Sequence, residues 1–195
     1  SMSGCACSFS SWNGPLVGAF TANMTHGTGG TNDAFDITAR SATHLAQLTF
    51  SNNPIDFSSA GGTGIRVQTM GPSVIDAIGN TIDFNAGAPN GTGMNFTLAS
   101  SASVNISSNN ITDHVSGGTG VLFSSVTGPS VFQINNNLIQ LLDPGAGFDR
   151  GIIFGAVTNT VPLSGWQNNV VTGSSQSFFI PIGTSTGQIG VNGVW

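Results

Sequence analysis

Lysine, glutamate and tyrosine are absent from this 195-residue chain, and Arg40, Arg66 and Arg150 are its only permanent cations. Charged residues make up 6% of it, against about 25% in an ordinary soluble domain. Without Lys and Glu, the usual solvent-facing helix formers, long amphipathic helices are not expected. A formal charge of -5 carried with three arginines leaves no basic stripe, which argues against nucleic acid as a partner. No run of about 18 apolar residues is present, so no membrane-spanning helix is expected either. Cysteine is scarce, and Cys5 and Cys7 are too close in an extended segment to bridge one another without strain. They read as small thiols buried in a capping segment or as a cross-link between molecules. His26, His44 and His114 stand at no recognisable ligand spacing, so neither a metal site nor any cofactor is implied. Ser, Thr, Asn and Gly must therefore cover the surface, while 38% hydrophobic residues remain for a core.

Those hydrophobic residues are placed in phase. An asparagine recurs with a β-branched aliphatic two positions on, at Asn53, Asn80, Asn109, Asn137 and Asn169, an interval of roughly 30 positions each time. A glycine ahead of an apolar run keeps the same time, at Gly64, Gly93, Gly120 and Gly151, each a little over half an interval before the corresponding Asn. Two markers in phase define an internal repeat. Three positions before each Asn stands Phe50, Ala77, Ile106, Ile134 or Trp166, so each Asn lies between two short apolar segments that read as strands. It marks a corner, where Asn tolerates the left-handed backbone a sharp bend needs. Stacked from coil to coil, such amides can donate and accept up a column.

A repeat of this length with three strand-like pieces fits one coil of a solenoid whose coils pair only with their neighbours. Short aliphatic runs at the corners suit parallel strands buried between coils. With its corner Asn column, the stretch from Ala34 to Trp195 resembles the right-handed parallel β-helix of the pectate-lyase-like and autotransporter-passenger kind. The fold class expected is thus all-β, a parallel β-helix of about five to seven coils. Residues 1–33 depart from the repeat and read as an N-terminal cap or irregular first coil, and 34–195 as the repeats of a single domain. The coils are placed at 34–61, 62–91, 92–118, 119–150 and 151–183, with Thr186-Gly187-Gln188-Ile189 beginning another. The separation between each Asn and the next marker Gly is uneven, shortest from Asn53 to Gly64 and from Asn109 to Gly120, longest from Asn137 to Gly151. Length variation therefore falls at one corner, and segments such as 86–90 and 143–147 are expected to project from one edge, where a ligand would bind.

Candidate chemistry is thin. Asp56 and Asp83 occupy one repeat position and should stack on successive coils about 4.8 Å apart. Paired carboxylates can hydrolyse glycosides or hold Ca²⁺, but outward, solvated strand residues are the favoured reading, because Thr112, Gln140 and Thr172 follow at that position. Asn80-Thr81-Ile82-Asp83 is similar to the Asn-Thr-Asp motif of polygalacturonases with an Ile interposed, and that family's remaining elements are missing. Asp113-His114 would make an acid-base pair, except that neighbouring strand residues point to opposite faces.

No catalytic set is assembled from these residues. The expected function is a non-enzymatic, structural or adhesive β-solenoid of a microbial surface, appendage or virion. Its place would be outside the cell or on the cell surface, as composition and the fold resemblance together imply. No signal peptide is recognised, as suits a mature or truncated chain, and Ser1-Met2 reads as a scar of cleavage or of cloning. The alternative is a carbohydrate-active enzyme or polysaccharide-binding module using the loop edge. Partners would be a second copy of the chain, joined end to end, or a cell-surface or polysaccharide ligand. Cys5, Cys7, Ile189, Val191 and Trp195 are the expected assembly contacts.

Overall fold

A computed structural model of the chain describes residues 2–3, 7–23, 25–27, 33–57, 62–85, 90–115, 117–142, 149–158, 161–174, 176–179 and 189–191. Every regular element among them is a β-strand. After β1 (Met2–Ser3) come β2 (Cys7–Trp12), β3 (Leu16–Thr21) and β4 (Thr25–Gly27). The repeat then supplies β5 (Phe35–Ala39), β6 (Ala46–Ser51), β7 (Pro54–Phe57), β8 (Thr63–Thr69), β9 (Ser73–Ile78) and β10 (Thr81–Phe84). It continues with β11 (Thr92–Leu98), β12 (Ala102–Ser107), β13 (Asn110–Asp113), β14 (Thr119–Val126), β15 (Ser130–Asn135) and β16 (Leu138–Leu141). β17 (Arg150–Val157), β18 (Val161–Gln167), β19 (Val170–Thr172), β20 (Gln176–Phe179) and β21 (Ile189–Val191) complete the described strands.

Every third strand pairs in parallel, giving three seven-stranded sheets. Sheet 1 runs β2-β5-β8-β11-β14-β17-β20, sheet 2 runs β3-β6-β9-β12-β15-β18-β21, and sheet 3 runs β1-β4-β7-β10-β13-β16-β19. The chain passes from sheet 1 to 2 to 3 in each coil, so the molecule is an all-β parallel solenoid. β2, β3 and β4 pair with β5, β6 and β7 in the same way, so part of residues 1–33 already follows the coil path.

One face of each sheet is buried, not both. Burial alternates along β5 and β9, with Phe35, Ile37 and Ala39, then Ser73, Ile75 and Ala77, turned inward. The tube has one axial core, and the apolar runs of the sequence stay short because only alternate residues reach it. Register turns these residues into columns of like on like. Ile55, Ile82, Ile111 and Ile139 stack in sheet 3. Phe96, Phe123 and Phe154 stack in sheet 1 with ring centroids 5.4 and 4.4 Å apart. Phe57 and Phe84 stack at 4.8 Å, and Trp166, partly buried, packs on Phe178.

The marker glycines follow from one close approach. A Cβ on Gly93 would lie 2.5 Å from the Gly120 carbonyl oxygen and 2.8 Å from Ile111 Cδ1. On Gly120 it would meet the Gly151 carbonyl at 2.6 Å and Ile139 at 2.7 Å. The glycine column thus lies against both the next coil's backbone and the isoleucine column, which is why the two markers stay in phase. The C-terminal coil corrects the sequence reading. Gly187 was expected to open a coil, yet β20 opens it at Gln176 and β21 is the second strand of that coil, paired with β18. Ser177 stands in register with Gly151, so the glycine signal fails there and Gly187 misleads.

Replacing Gly120 with Ala should cost about 1 to 3 kcal/mol by overpacking. Equilibrium unfolding in urea checks this, and an unchanged midpoint would refute the close approach.

Candidate functional site

The five repeat asparagines form a column between sheets 2 and 3, the first four with the same bonds and Asn169 ending it. Asn109 Nδ2 donates to Asn137 Oδ1 at 2.9 Å and to the Ala77 carbonyl at 2.8 Å. Its Oδ1 accepts from Asn80 Nδ2 at 2.9 Å and from the Asn80 backbone N–H at 2.9 Å. Two donors and two acceptors are all that a primary amide carries, so Asn109 is buried and fully satisfied. Asn53 and Asn80 repeat the pattern, Asn137 passes it to Asn169 at 2.9 Å, and Asn169 Nδ2 donates to the Ile134 carbonyl at 2.6 Å. The column has a sixth member the repeat did not reveal. Asn23 donates through its backbone N–H to Asn53 Oδ1 at 3.0 Å. It stands one coil before Asn53 but has Thr25 two positions on, so the aliphatic marker passed over it.

The left-handed residue at this corner is not the column Asn but the one before it. Ala22, Asn52, Gly79, Ser108, Asn136 and Asn168 have φ between 52° and 67°. Bend and column are thus separate tasks on adjacent residues: the left-handed residue turns the chain outward and drops the following amide into the core. Asn168 Nδ2 bonds Asn136 Oδ1 at 3.0 Å, a second and exposed amide contact beside the buried one.

Asp56 and Asp83 are in register on the outer face of sheet 3, as the repeat required. They are half-buried, and of the two Asp56 is hydrogen-bonded while Asp83 has a histidine close by without hydrogen-bond geometry. Asn85 Nδ2 donates to Asp56 Oδ1 at 2.5 Å, and His114 Nε2 lies 3.2 Å from Asp83 Oδ1. Each carboxylate is met by the residue two positions further along the next coil. Asp113 and His114 do part to opposite faces, but Asp113 goes inward to 1% exposure, at the position held by Phe84 and Leu141 in neighbouring coils. Burial lifts its carboxyl from the ordinary 3.8 to about 6; the Val115 N–H pulls it down and the Asp149 charge pushes it further up. Asp149, also 1% exposed, accepts through Oδ1 from the Gly117 and Gly118 N–H groups at 2.6 and 3.0 Å.

Nearer the N-terminus, at the edge where sheet 3 leads into sheet 1, a polar hollow of about 200 Å³ is lined by Asp33, Thr63, Arg66, Asn90, Thr92 and Asn95. Arg66 Nη1 pairs with Asp33 Oδ2 at 2.8 Å, and the Thr63 N–H donates to Asp33 Oδ1 at 2.9 Å. Burial raises the Asp33 carboxyl above its ordinary range, with the Thr63 hydroxyl and Arg66 opposing. Nothing in the repeat marked this ion pair, because its residues fall outside both markers. The hollow lies on the edge where length variation gathers. The projecting segments themselves, 86–89 and 143–148, are outside the described residues, as are Cys5 and Trp195. Cys7, Ile189 and Val191 lie in β2 and β21, within sheets 1 and 2. Among the described residues no three His, Cys, Asp or Glu side chains group as a metal ion requires, and no helix is long and apolar enough to cross a membrane.

Replacing Asn137 with Leu strands the Asn109 backbone N–H and one of its two Nδ2 hydrogens without an acceptor and removes the amide donor from the Ile106 carbonyl. The expected loss is about 1 to 3 kcal/mol, measured by thermal or urea unfolding, and a variant that melts like the parent would rule out an energetic role for the column. Against known proteins, the chain matches no family model, no curated protein and no solved structure.

Proposed function

We propose that this solenoid is a non-enzymatic structural or adhesive element that acts outside the cell, as part of a microbial surface, appendage or virion. The observation that carries the proposal is the outer face of sheet 2. Its outward positions on β6, β9, β12 and β15 are Gln47, Thr49, Ser51, Val74, Asp76, Ile78, Ser103, Asn105, Ser107, Val131, Gln133 and Asn135, with Asp76 the one charge among them. Such a face is broad, nearly neutral and built of short side chains, which suits contact with another surface over many small hydrogen bonds. The uniform register of the coils fits the same reading, because a stack of this kind extends by repetition of one step. End-to-end self-association is the form of assembly favoured, with the terminal coil that holds Ile189 and Val191 meeting the N-terminal segment at Cys7 of a second copy, so that β20 lies over β2 and β21 over β3. In architecture the chain is assigned to the right-handed parallel β-helices of the pectate-lyase-like kind, on the strength of its corner amide column and three-sheet coil.

A second reading has its own support. The hollow at Asp33 and Arg66 offers a guanidinium, a carboxylate, hydroxyls and amides together, a donor set that suits a neutral, hydroxyl-rich ligand such as one unit of a polysaccharide. In that case the chain is a carbohydrate-binding module or carbohydrate-active enzyme.

Electron microscopy of the purified protein, with sedimentation at high concentration, is expected to show rods or fibres. No cleavage of pectins or other acidic polysaccharides is expected. Monomers at every concentration, together with reproducible cleavage lost in Asp83→Asn, would replace the structural reading with the enzymatic one.

A further inference from the structure

The inward column Phe57, Phe84, Asp113, Leu141 contains one residue that does not belong in an apolar tube. Asp113 Oδ1 accepts one hydrogen bond, from the Val115 N–H at 2.9 Å. Its Oδ2 is buried and has no hydrogen-bond partner. Phe84 and Leu141, on the coils to either side, offer it nothing polar. Gly118 approaches so closely that a Cβ there would run into Oδ2, and the Gly118 N–H is already given to Asp149. The charged and titratable groups around Asp113 are Asp149, His114 and Asp83. The last two face each other on the outer surface, while Asp149 is a second buried carboxylate, held by the two glycine N–H groups.

An ionised Asp113 would thus be a desolvated anion with a single donor, next to a like charge, and that arrangement is costly. A proton on Oδ2 removes the charge and the repulsion together. We propose that the Asp113–Asp149 corner is an acid-set latch: one proton taken up by Asp113 tightens the junction between the coil of β11–β13 and the coil of β14–β16, and its loss loosens that junction. The sign follows from linkage. The folded carboxyl titrates near 6 and the unfolded one near 3.8, so the stabilisation is fully present below 3.8 and is lost as pH rises through about 6. Sheet 3 breaks its apolar column at this one buried carboxylate among the described residues, so the loosening is local to one junction.

Urea unfolding of the parent between pH 4 and 7.5 is the test. A lift of about two pH units corresponds to a rise of about 100-fold in the unfolding equilibrium constant across that range. Asp113→Asn, which keeps the shape and removes the titration, is expected to lose most of this dependence and to be more stable than the parent at pH 7.5. His114→Gln, which removes the neighbouring pair with Asp83, is expected to keep the parent's slope. Parent stability that is flat in this range, a slope undiminished in Asp113→Asn, or one that disappears in His114→Gln would each overturn the latch. Should Asp113→Asn fail to fold, ¹³C NMR titration of the Asp113 carboxyl in the parent decides instead. A midpoint near 6 supports the latch, and one in the ordinary carboxylate range overturns it. Excess Ca²⁺ at pH 7.5 is the last arm: strong stabilisation that erases the pH slope would make the corner a cation site and not a latch, whereas no effect supports the proton.

Discussion

The spacing between one coil and the next governs this molecule. Parallel strands sit about 4.8 Å apart, so the nearest neighbour of almost any side chain is its own counterpart one coil away. A residue is tolerated in such a stack when it packs well against itself. The primary amide meets this condition fully, since it accepts as many hydrogen bonds as it donates and can pass both up the axis. From Asn23 to Asn137 every column Nδ2 donates toward the same end of the stack. From Asn53 onward a carbonyl of the preceding coil takes the remaining N–H. A buried polar group of this kind fixes the alignment of coils, because a slip by one residue would leave several unsatisfied atoms at once. Phenylalanine and isoleucine satisfy the condition by shape, the former by stacking rings and the latter by nesting branches.

The same spacing makes charge a liability. Two like charges one coil apart repel by about 1 kcal/mol even in water, and a column of lysines or glutamates would multiply that cost. The scarcity of charge reads as a consequence of the architecture, and four of the carboxylates that remain lie against a different residue on a neighbouring coil. Asp33 has Arg66, Asp56 has Asn85, Asp76 has Asn105, and Asp83 has His114. Asp113 departs from this pattern, since its Oδ2 is buried without a hydrogen-bond partner and Asp149 beside it is a second buried carboxylate. A departure from an otherwise consistent stack is where a functional or responsive feature is best sought.

Steric constraints complete the cross-section. At the corner between sheets 2 and 3 the chain must turn sharply, which places a left-handed residue next to each column amide. At the start of sheet 1 the backbone of one coil touches that of the next, which admits only glycine at Gly64, Gly93, Gly120 and Gly151. The corner leading from sheet 3 to sheet 1 has close approaches of its own, at Gly91, Gly118 and Gly173, but they do not all fall at one repeat position. There the connections differ in length, and there the polar hollow lies.

The sequence by itself determined the all-β class, the coil length, the three strands per coil and the column at Asn53, Asn80, Asn109, Asn137 and Asn169. It could do so because a stack of like on like writes each spatial contact as a repeat at a fixed interval. The opposite facing of Asp113 and His114 was legible too, and so was the inward place of Asp113, four positions beyond Asn109 as Phe57, Phe84 and Leu141 are beyond their own asparagines. Asn23 and the coil opened at Gln176 escaped because Thr25 stands where the marker has an aliphatic residue and Ser177 where it has a glycine, while both keep the backbone pairing. Only the tertiary structure decided which residue takes the left-handed turn, that Asp33 meets Arg66, that His114 crosses to Asp83, and that Asp149 approaches Asp113. Those contacts run diagonally or around a corner between coils, so no interval in the sequence records them; they exist only once the register of the stack has brought the coils together.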